Sequence, residues 1–529
     1  MLLNAYRFPS EAAALPPVDR AVAIGVFDGV HLAHRAVIGQ VVAVEGLTPT
    51  VLTFSDSPHT LPKSALPIEP DRQKQLWLSR LGIEQTVEME FSAVRSLSPA
   101  QFVRDVLHGA LRAKRVACGE NFRFGAEAAG DVTLLTALCR PLGIEVLAVP
   151  TVLDSDEPIS SARIRRLLAE GEMQEASRLL GHSYGITAPV TAGNRLGRTA
   201  GFPTLNQPLP PDAALPKFGV YASVAVVDGK SYVGVTNIGI KPTVGADTPL
   251  AETHLLDFAE EAYGKEITVY PVRLLREERQ FADTDALFAQ VAADVAAVRE
   301  MYRPQGTIRA VLFDFDDTLH SRVEAWRQFS VLFVNRLFPD APQEERDAKA
   351  HALWEAGGCG RGFWPQDNID IPYRVLFEDI KQRWGLSHDT EELIRLCHRL
   401  FAPCVQVFAD TVPTLRRLRA AGLKVGILTN GHSFLQNRKL YHAALAGEVD
   451  AVVVAGDEGV QKPNPELFRR VAWRMGLPTE DCVYVGDNPR ADIAGATAAA
   501  MQTRYLDRFG EHLLEPRYDD LNGILNSII

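Results

Sequence analysis

The sequence predicts a multidomain chain: an α/β unit with a parallel sheet, then a small antiparallel β-barrel, then a second α/β unit. Three observations carry this. The chain has 529 residues, and at about 150 residues per domain that means three or four cores. Strand-like and helix-like runs alternate up to about residue 183, the mark of a parallel sheet. From Tyr184 the pattern becomes β-rich and turn-rich, and alternation restarts at Ile308.

In the first unit, residues 21–27, 50–55, 114–120 and 144–152 read as strands. Residues 34–44, 99–113 and 162–181 read as helices between or after them. In the second, 185–193, 219–239 and 265–275 read as strands, with a turn at Val227-Asp228-Gly229-Lys230. A helix over 283–302 closes it. Residues 303–307, with Pro304 and Gly306, read as a linker. The third unit opens with a buried strand over 308–316 and carries a long helical insertion before Thr429. The expected boundaries are 1–183, 184–302, a linker 303–307, and 308–529 with the insertion at about 320–408.

Composition narrows the function. The apolar share of 46% and charged share of 23% are those of a globular chain. The net charge of −11 makes a poor nucleic-acid binder, which needs a basic surface; anionic small molecules need only local amides and a cation or two. Six cysteines (118, 139, 359, 397, 404 and 482) form no C-x-x-C pair. Zinc is disfavoured and a reducing cytosol is expected. The N-terminal residues lack a signal-like apolar core, and the best apolar stretch, around Leu134 to Leu153, is interrupted by Arg140, Pro141 and Glu145. The expectation is a cytoplasmic protein that binds small molecules, neither nucleic acid nor membrane; its oligomeric state is left open. Neither a Walker A loop nor a G-x-G-x-x-G fingerprint is present.

Chemistry concentrates at strand ends. Gly25, Phe27, Asp28 and Gly29 lead into His31, Ala33 and His34 where a strand gives way to a helix, so free amides and the positive helix end favour phosphate. Two imidazoles there can stabilise charge on phosphorus during in-line attack; surface histidines at a helix start are the plainer reading. Ser160, Ser161, Arg163 and Arg165 open another helix, as an anion site or an N-cap. With Gly119, Asn121, Phe122, Phe124 and Gly125, these residues resemble the FMN adenylyltransferase module of bacterial bifunctional riboflavin kinase/FAD synthetases, over about 15–183. The resemblance implies a Rossmann-like nucleotidyltransferase that transfers AMP from ATP to FMN and releases pyrophosphate. It places His31 and His34 on ATP phosphates, Ser160, Ser161 and Arg165 on the leaving phosphates, and Asn121 at the nucleotide and flavin site. Ala33 departs from the family's glycine, and its methyl is expected to crowd the phosphate.

In the second unit, Gly197, Arg198 and Gly201 precede Thr204 and Asn206, which lie two apart and so share a strand face. Their oxygens suit Mg²⁺. Glu252 and His254 share another face, and a carboxylate there can take a proton from an alcohol. A barrel-edge turn and a buried polar ladder are the plain alternatives. Residues 197–206, 237–243 and 252–258 together resemble riboflavin kinase. This implies Glu252 as base for the riboflavin 5′-hydroxyl, with Thr204 and Asn206 binding Mg-ATP; the product FMN feeds the first module.

In the third unit a strand ends in Asp314 and Asp316. Clustered buried carboxylates imply Mg²⁺, and one can attack phosphorus while the other shuttles a proton. Thr429 and Asn430, then Lys462, then Asp487 with Asp492, end further segments. The order resembles the haloacid dehalogenase superfamily over about 308–510. It implies Asp314 as nucleophile, Asp316 as acid/base, Thr429, Asn430 and Lys462 around the phosphate, and Asp314, Asp316 and Asp487 around magnesium, with Asp492 in support. Asp316 favours a phosphatase over a dehalogenase. In the insertion, Trp326, Phe329, Trp354, Phe363, Trp364 and Tyr373 read first as packing and second as a stacking surface.

The expected activity is therefore riboflavin to FMN to FAD, using ATP, beside a phosphatase. Its expected substrate is 5-amino-6-(5-phospho-D-ribitylamino)uracil; FMN, or nucleotides and sugar phosphates generally, are the alternatives. A flavin-nucleotide sensor with decayed sites is the rival from another class.

Overall fold

The computed structural model describes residues 3–42, 44, 46–54, 66–90, 95–192, 200–209, 213–240, 249–358 and 370–529, without the side chains of 370–372. Gly197, Arg198, Thr243, Cys359, Phe363 and Trp364 lie outside the described residues.

The first sheet has six parallel strands in the order Asn4–Phe8, Gln85–Met89, Thr48–Phe54, Arg20–Ile24, Ala113–Gly119, Glu145–Val149. Strand Arg20–Ile24 is wholly buried, as the apolar run Ala21–Ile24 in a two-sided sheet requires. The strand order reverses there, because Thr48–Phe54 pairs on one side and Ala113–Gly119 on the other. A crevice for ligands opens beyond such a reversal, and the loop that follows, residues 25–31, lies at its mouth. Two helical readings are corrected. The helix expected over 162–181 is two, Ser161–Glu170 and Met173–Leu180. Gly171 parts them with φ +85°, a left-handed cap that suits glycine. The helix at 99–113 starts with a capping box at Ser98 and runs on as a π-helix over Phe102–Ala110.

The second sheet is antiparallel, in the order Leu205–Pro208, Pro249–Leu255, Lys230–Ile240, Gly219–Val227, Glu266–Glu277, Ile186–Pro189. A bridge between Thr191 and Asn206 brings its two ends together, making a nearly closed barrel. Helix Thr284–Met301, capped by Asp283, packs on it through Val298 and Met301.

The third sheet is parallel: Ala451–Val454, Lys424–Thr429, Ala310–Phe313, Cys482–Gly486, Gln502–Leu506, Arg517–Tyr518. Ala310–Phe313 is central, again at the point where strand order reverses. The insertion folds as helices Arg322–Leu337, Gln343–Ala356, Asp370–Trp384 and Thr390–Phe401. Trp326, Phe329 and Tyr373 are buried in its own apolar cluster with Phe333, Phe377 and Phe401, and Trp354 packs against them. Packing, not a stacking surface, employs these four. The segment 303–307 is tied down: the Gln305 and Gly306 amides donate to the Asp481 carboxylate at 2.9 and 3.2 Å. Among the described residues no helix is long and apolar enough to cross a membrane.

Candidate functional site

The loop after strand Arg20–Ile24 is built from left-handed residues: Phe27 at φ 54°, Gly29 at 76° and Val30 at 40°. Asp28 anchors it. Its carboxylate accepts the Ile68 amide at 2.7 Å and pairs with Arg165, and its carbonyl accepts the Ser161 hydroxyl at 3.0 Å. Two segments more than 130 residues apart thus form one cradle. Arg165 spends its charge on Asp28 and on the Leu66 carbonyl, and the Ser160 hydroxyl accepts the Arg163 amide at 3.2 Å as the helix N-cap. Capping and loop support account for the contacts of Ser160, Ser161 and Arg165.

His31 and His34 stack with ring centroids 3.6 Å apart, and the His34 amide donates to His31 Nδ1 at 3.3 Å. Burial, with Arg35 adding to it, pushes the His31 imidazole down to about 3. Burial and the neighbouring His31 hold His34 well below the usual range. Both rings are neutral, and His34 Nδ1 is buried without a partner. Gly25 lies under the Phe27 ring, where a methyl would come within 3.2 Å of it. Asn121 is exposed beyond strand Ala113–Gly119. The Ala33 methyl packs against the apolar cluster of Ile68, Ile164 and Leu180. The methyl therefore has apolar neighbours on that side.

In the barrel, Asn206 pairs with Glu252 across one strand boundary and Asn237 pairs with Glu252 across the next. The three form one cross-strand row. Strand Pro249–Leu255 alternates buried and half-buried positions, with Glu252 and His254 on the half-buried face. His254 Nδ1 lies 2.9 Å from the Pro203 carbonyl, and Asn206 Nδ2 donates to the Thr204 carbonyl at 3.2 Å. Asn206 is buried, and its Oδ1 has no hydrogen-bond partner. An orphaned carbonyl oxygen beside a hydroxyl residue and a carboxylate is a donor set that fits a hard cation.

In the third unit Asp314, Asp487 and Asp492 bring carboxylate oxygens within 4.8 Å of one another. Lys462 Nζ donates to Asp314 at 2.5 Å and Asp492 at 2.6 Å, and to the Tyr484 hydroxyl at 3.0 Å. Burial, then Asp492 and Asp316, outweigh Lys462 and raise the Asp314 carboxyl to about 7. Burial, Asp314 and Asp492 also raise Asp487. Acids held up by mutual repulsion fit a divalent cation, which would relieve it. Asn430 clamps the Lys462 loop, accepting its amide at 2.8 Å and donating to its carbonyl at 3.0 Å. The Thr429 hydroxyl is buried and donates to the Asn430 carbonyl at 3.1 Å.

Asp316 does not join the gathered carboxylates; Asp492 stands in that set. The Asp316 carboxylate accepts from His320 Nε2 and Gln436 Nε2, each at 2.8 Å, and pairs with Lys439. Burial opposes its charge, but Lys439 and then His320 hold it well below the usual carboxylate range. Lys439, Gln436 and His320 were missed by sequence reasoning. The available signal was Gln436 and Lys439 three apart on the helix directly after Thr429-Asn430-Gly431.

The chain thus combines a phosphate-ready α/β loop, a barrel with a carboxylate–amide row, and an aspartate-centred hydrolase site: a multifunctional transferase and hydrolase. Family models match in the same order: FAD synthetase over residues 16–163, riboflavin kinase over 180–302, and haloacid dehalogenase-like hydrolase over 308–500. The bifunctional riboflavin kinase/FMN adenylyltransferase of Escherichia coli (strain K12) is 37% identical over 296 residues, 54% of this chain and 94% of that protein. That of Bacillus subtilis (strain 168) is 37% identical over 285 residues, 52% and 89% of the two chains. A solved Streptococcus pneumoniae chain, described as a macrolide-efflux protein, superposes with a TM-score of 0.51 at 27% identity, covering 56% of this chain and 99% of its own. The chain belongs to the bifunctional riboflavin kinase/FMN adenylyltransferase family, and a haloacid dehalogenase-like hydrolase module follows. ATP, riboflavin, FMN and FAD are its substrates and products.

Proposed function

We propose that the third module is a phosphatase for 5-amino-6-(5-phospho-D-ribitylamino)uracil, so that one chain serves a step before riboflavin and the two steps after it. The supporting observation is the Asp314, Asp487, Asp492 and Lys462 cluster with Asp316 beside it, on a chain that makes flavin nucleotides. Asp314 attacks phosphorus, and the ribityl oxygen leaves with a proton that Asp316 relays from the monoanionic phosphate ester. Water then opens the aspartyl phosphate, and the Asp316 carboxylate takes the proton from that water and returns it to the departing phosphate, restoring itself. Its held carboxylate suits this second step. Lys462 neutralises phosphate charge with Thr429 nearby. Asp314, Asp487 and Asp492 would hold Mg²⁺, which supplies charge neutralisation at the phosphoryl group.

In the barrel, Glu252 takes the proton of the riboflavin 5′-hydroxyl, and Thr204 and Asn206 would hold the magnesium of Mg-ATP. In the first module the neutral His31 and His34 donate to phosphate oxygens, while Asp28, Ser161 and Arg165 keep the loop open. Asn121 lies at the rim that receives the nucleotide and flavin. The division of labour is read from Glu252→Gln, expected to stop FMN formation and spare FAD formation from supplied FMN.

A preference for FMN is the second reading. Trp326, Phe329, Trp354 and Tyr373 are engaged in the core of the helical insertion, which favours the smaller ring. The test is kcat/KM for the precursor, FMN and simple nucleotides, with Asp314→Asn as blank. A tenfold preference for FMN, about 1.4 kcal/mol in transition-state binding, reverses the choice; equal weak activity on all favours a general phosphatase.

A further inference from the structure

The helix Ser433–His442 has two working faces. At 100° per residue, Gln436 and Lys439 point one way and Phe434, Asn437 and Tyr441 the opposite way. The first pair holds Asp316. The second face docks on the adenylyltransferase module. The Tyr441 ring sits against Gly39 in helix Leu32–Val42, and Phe434 sits against Gly82; a methyl on either glycine would collide with the facing ring. The Tyr441 hydroxyl donates to the Ala36 carbonyl at 3.2 Å and accepts from Gln40 Nε2 at 3.2 Å. Asp457 completes the joint: it pairs with Arg80 at 2.9 Å and accepts from Ser433 and from Asn437 at 3.2 Å. Arg399 pairs with Glu84 alongside.

Two aromatic knobs in two glycine sockets make a joint with little slack. Gly82 has φ +98° and suits glycine for backbone reasons as well. Gly39 is mid-helix, where glycine is a poor choice, so the Tyr441 ring is its evident reason. We infer that the adenylyltransferase module is part of the phosphatase scaffold: by seating Phe434 and Tyr441 it sets the position of helix Ser433–His442, and through Gln436 and Lys439 the position of the Asp316 carboxylate. Tyr441 and Gly39 are positioning residues, since neither touches the reacting atoms. The inference rests on the hydrolase reading of the third module, whatever its substrate.

The test uses the full chain with p-nitrophenyl phosphate as the probe. Activity that Asp314→Asn removes establishes the hydrolase reading first. Gly39→Ala is then expected to lower phosphatase kcat about tenfold with KM within about twofold, as a small displacement of a catalytic group does, and to leave FMN formation from riboflavin unchanged. Tyr441→Phe, which keeps the ring in its socket, is expected to retain most activity. Gly39→Ala with Tyr441→Ala is expected to be no worse than Tyr441→Ala alone, because the methyl then meets no ring; this non-additivity marks direct contact. A Gly39→Ala kcat equal to that of the parent chain, or additive losses in the double variant, overturns the inference.

Discussion

The first and third sites bury ionisable groups of opposite kind ahead of their ligands. In the first, burial pushes His31 down to about 3 and holds His34 well below the usual range, so the imidazoles are neutral. In the third, burial and crowding raise Asp314 to about 7 and lift Asp487 well above its usual range. Each site disfavours the charged form until a partner of opposite sign arrives: a phosphate for the imidazoles, a cation for the carboxylates. Desolvation therefore makes the proton a competitor of the cation in one site and a companion of the phosphate in the other, so their pH responses have opposite sign.

The largest expected effect removes one site and spares the other. Asp314→Asn is expected to lower phosphate-ester hydrolysis by about a thousandfold or more, as loss of a nucleophile does, while FAD formation from FMN and ATP is unchanged. Loss of both in a folded variant would merge what the comparison separates. Next, His31→Gln is expected to lower adenylyl transfer about a hundredfold, the scale of one lost transition-state donor, with hydrolysis unchanged. ATP binding to the first module is expected to tighten as pH falls from 8 to 6, because bound phosphate raises the imidazole pKa values towards that range; calorimetry on a chain whose barrel ATP site is removed by Asn206→Ala reads it.

The third prediction concerns magnesium. The Asp314 carboxyl is raised on folding, so the chain binds that proton more tightly folded than unfolded, and stability is lost as pH rises from about 4 to about 7. A cation cancels this loss where the acid is ionised. Magnesium is expected to raise the Tm of the hydrolase module more at pH 8 than at pH 6; an equal rise at both would mean the ion binds elsewhere. The smallest effect is Ala33→Gly, expected to cost about 1 kcal/mol of stability in denaturant titration through helix propensity and the lost methyl and to leave the adenylyl-transfer rate within about twofold. A faster enzyme would show that the methyl crowds the phosphate.

The two sites are legible to a similar degree. Asp314 and Asp487 could be named because each directly follows a strand, and strand ends gather at one edge of a parallel sheet. His31 and His34 could be named for the same reason, and Lys462, which lies beyond the short helix Ala455–Glu458, through the resemblance. Their partners could not. Arg165 is taken by Asp28, and Asp316 by Lys439, through pairs 137 and 123 residues apart. No periodicity in a single chain reports such pairings. The split at Gly171 escaped a reading of 162–181 as one amphipathic run, because both halves bury the same kind of apolar face.

The order of the three modules, their α/β, barrel and α/β character, and the residue types that stand at the strand ends can be read from the amino-acid sequence alone. These follow from local periodicity, turn residues and side-chain chemistry, all written in consecutive positions. Which charges neutralise which, that Asp492 joins Asp314 and Asp487, that the Ala33 methyl packs against a core, and that the adenylyltransferase module receives Phe434 and Tyr441 emerge only in the folded chain. Those outcomes depend on burial and on close approach between distant segments, where desolvation and packing set the energies.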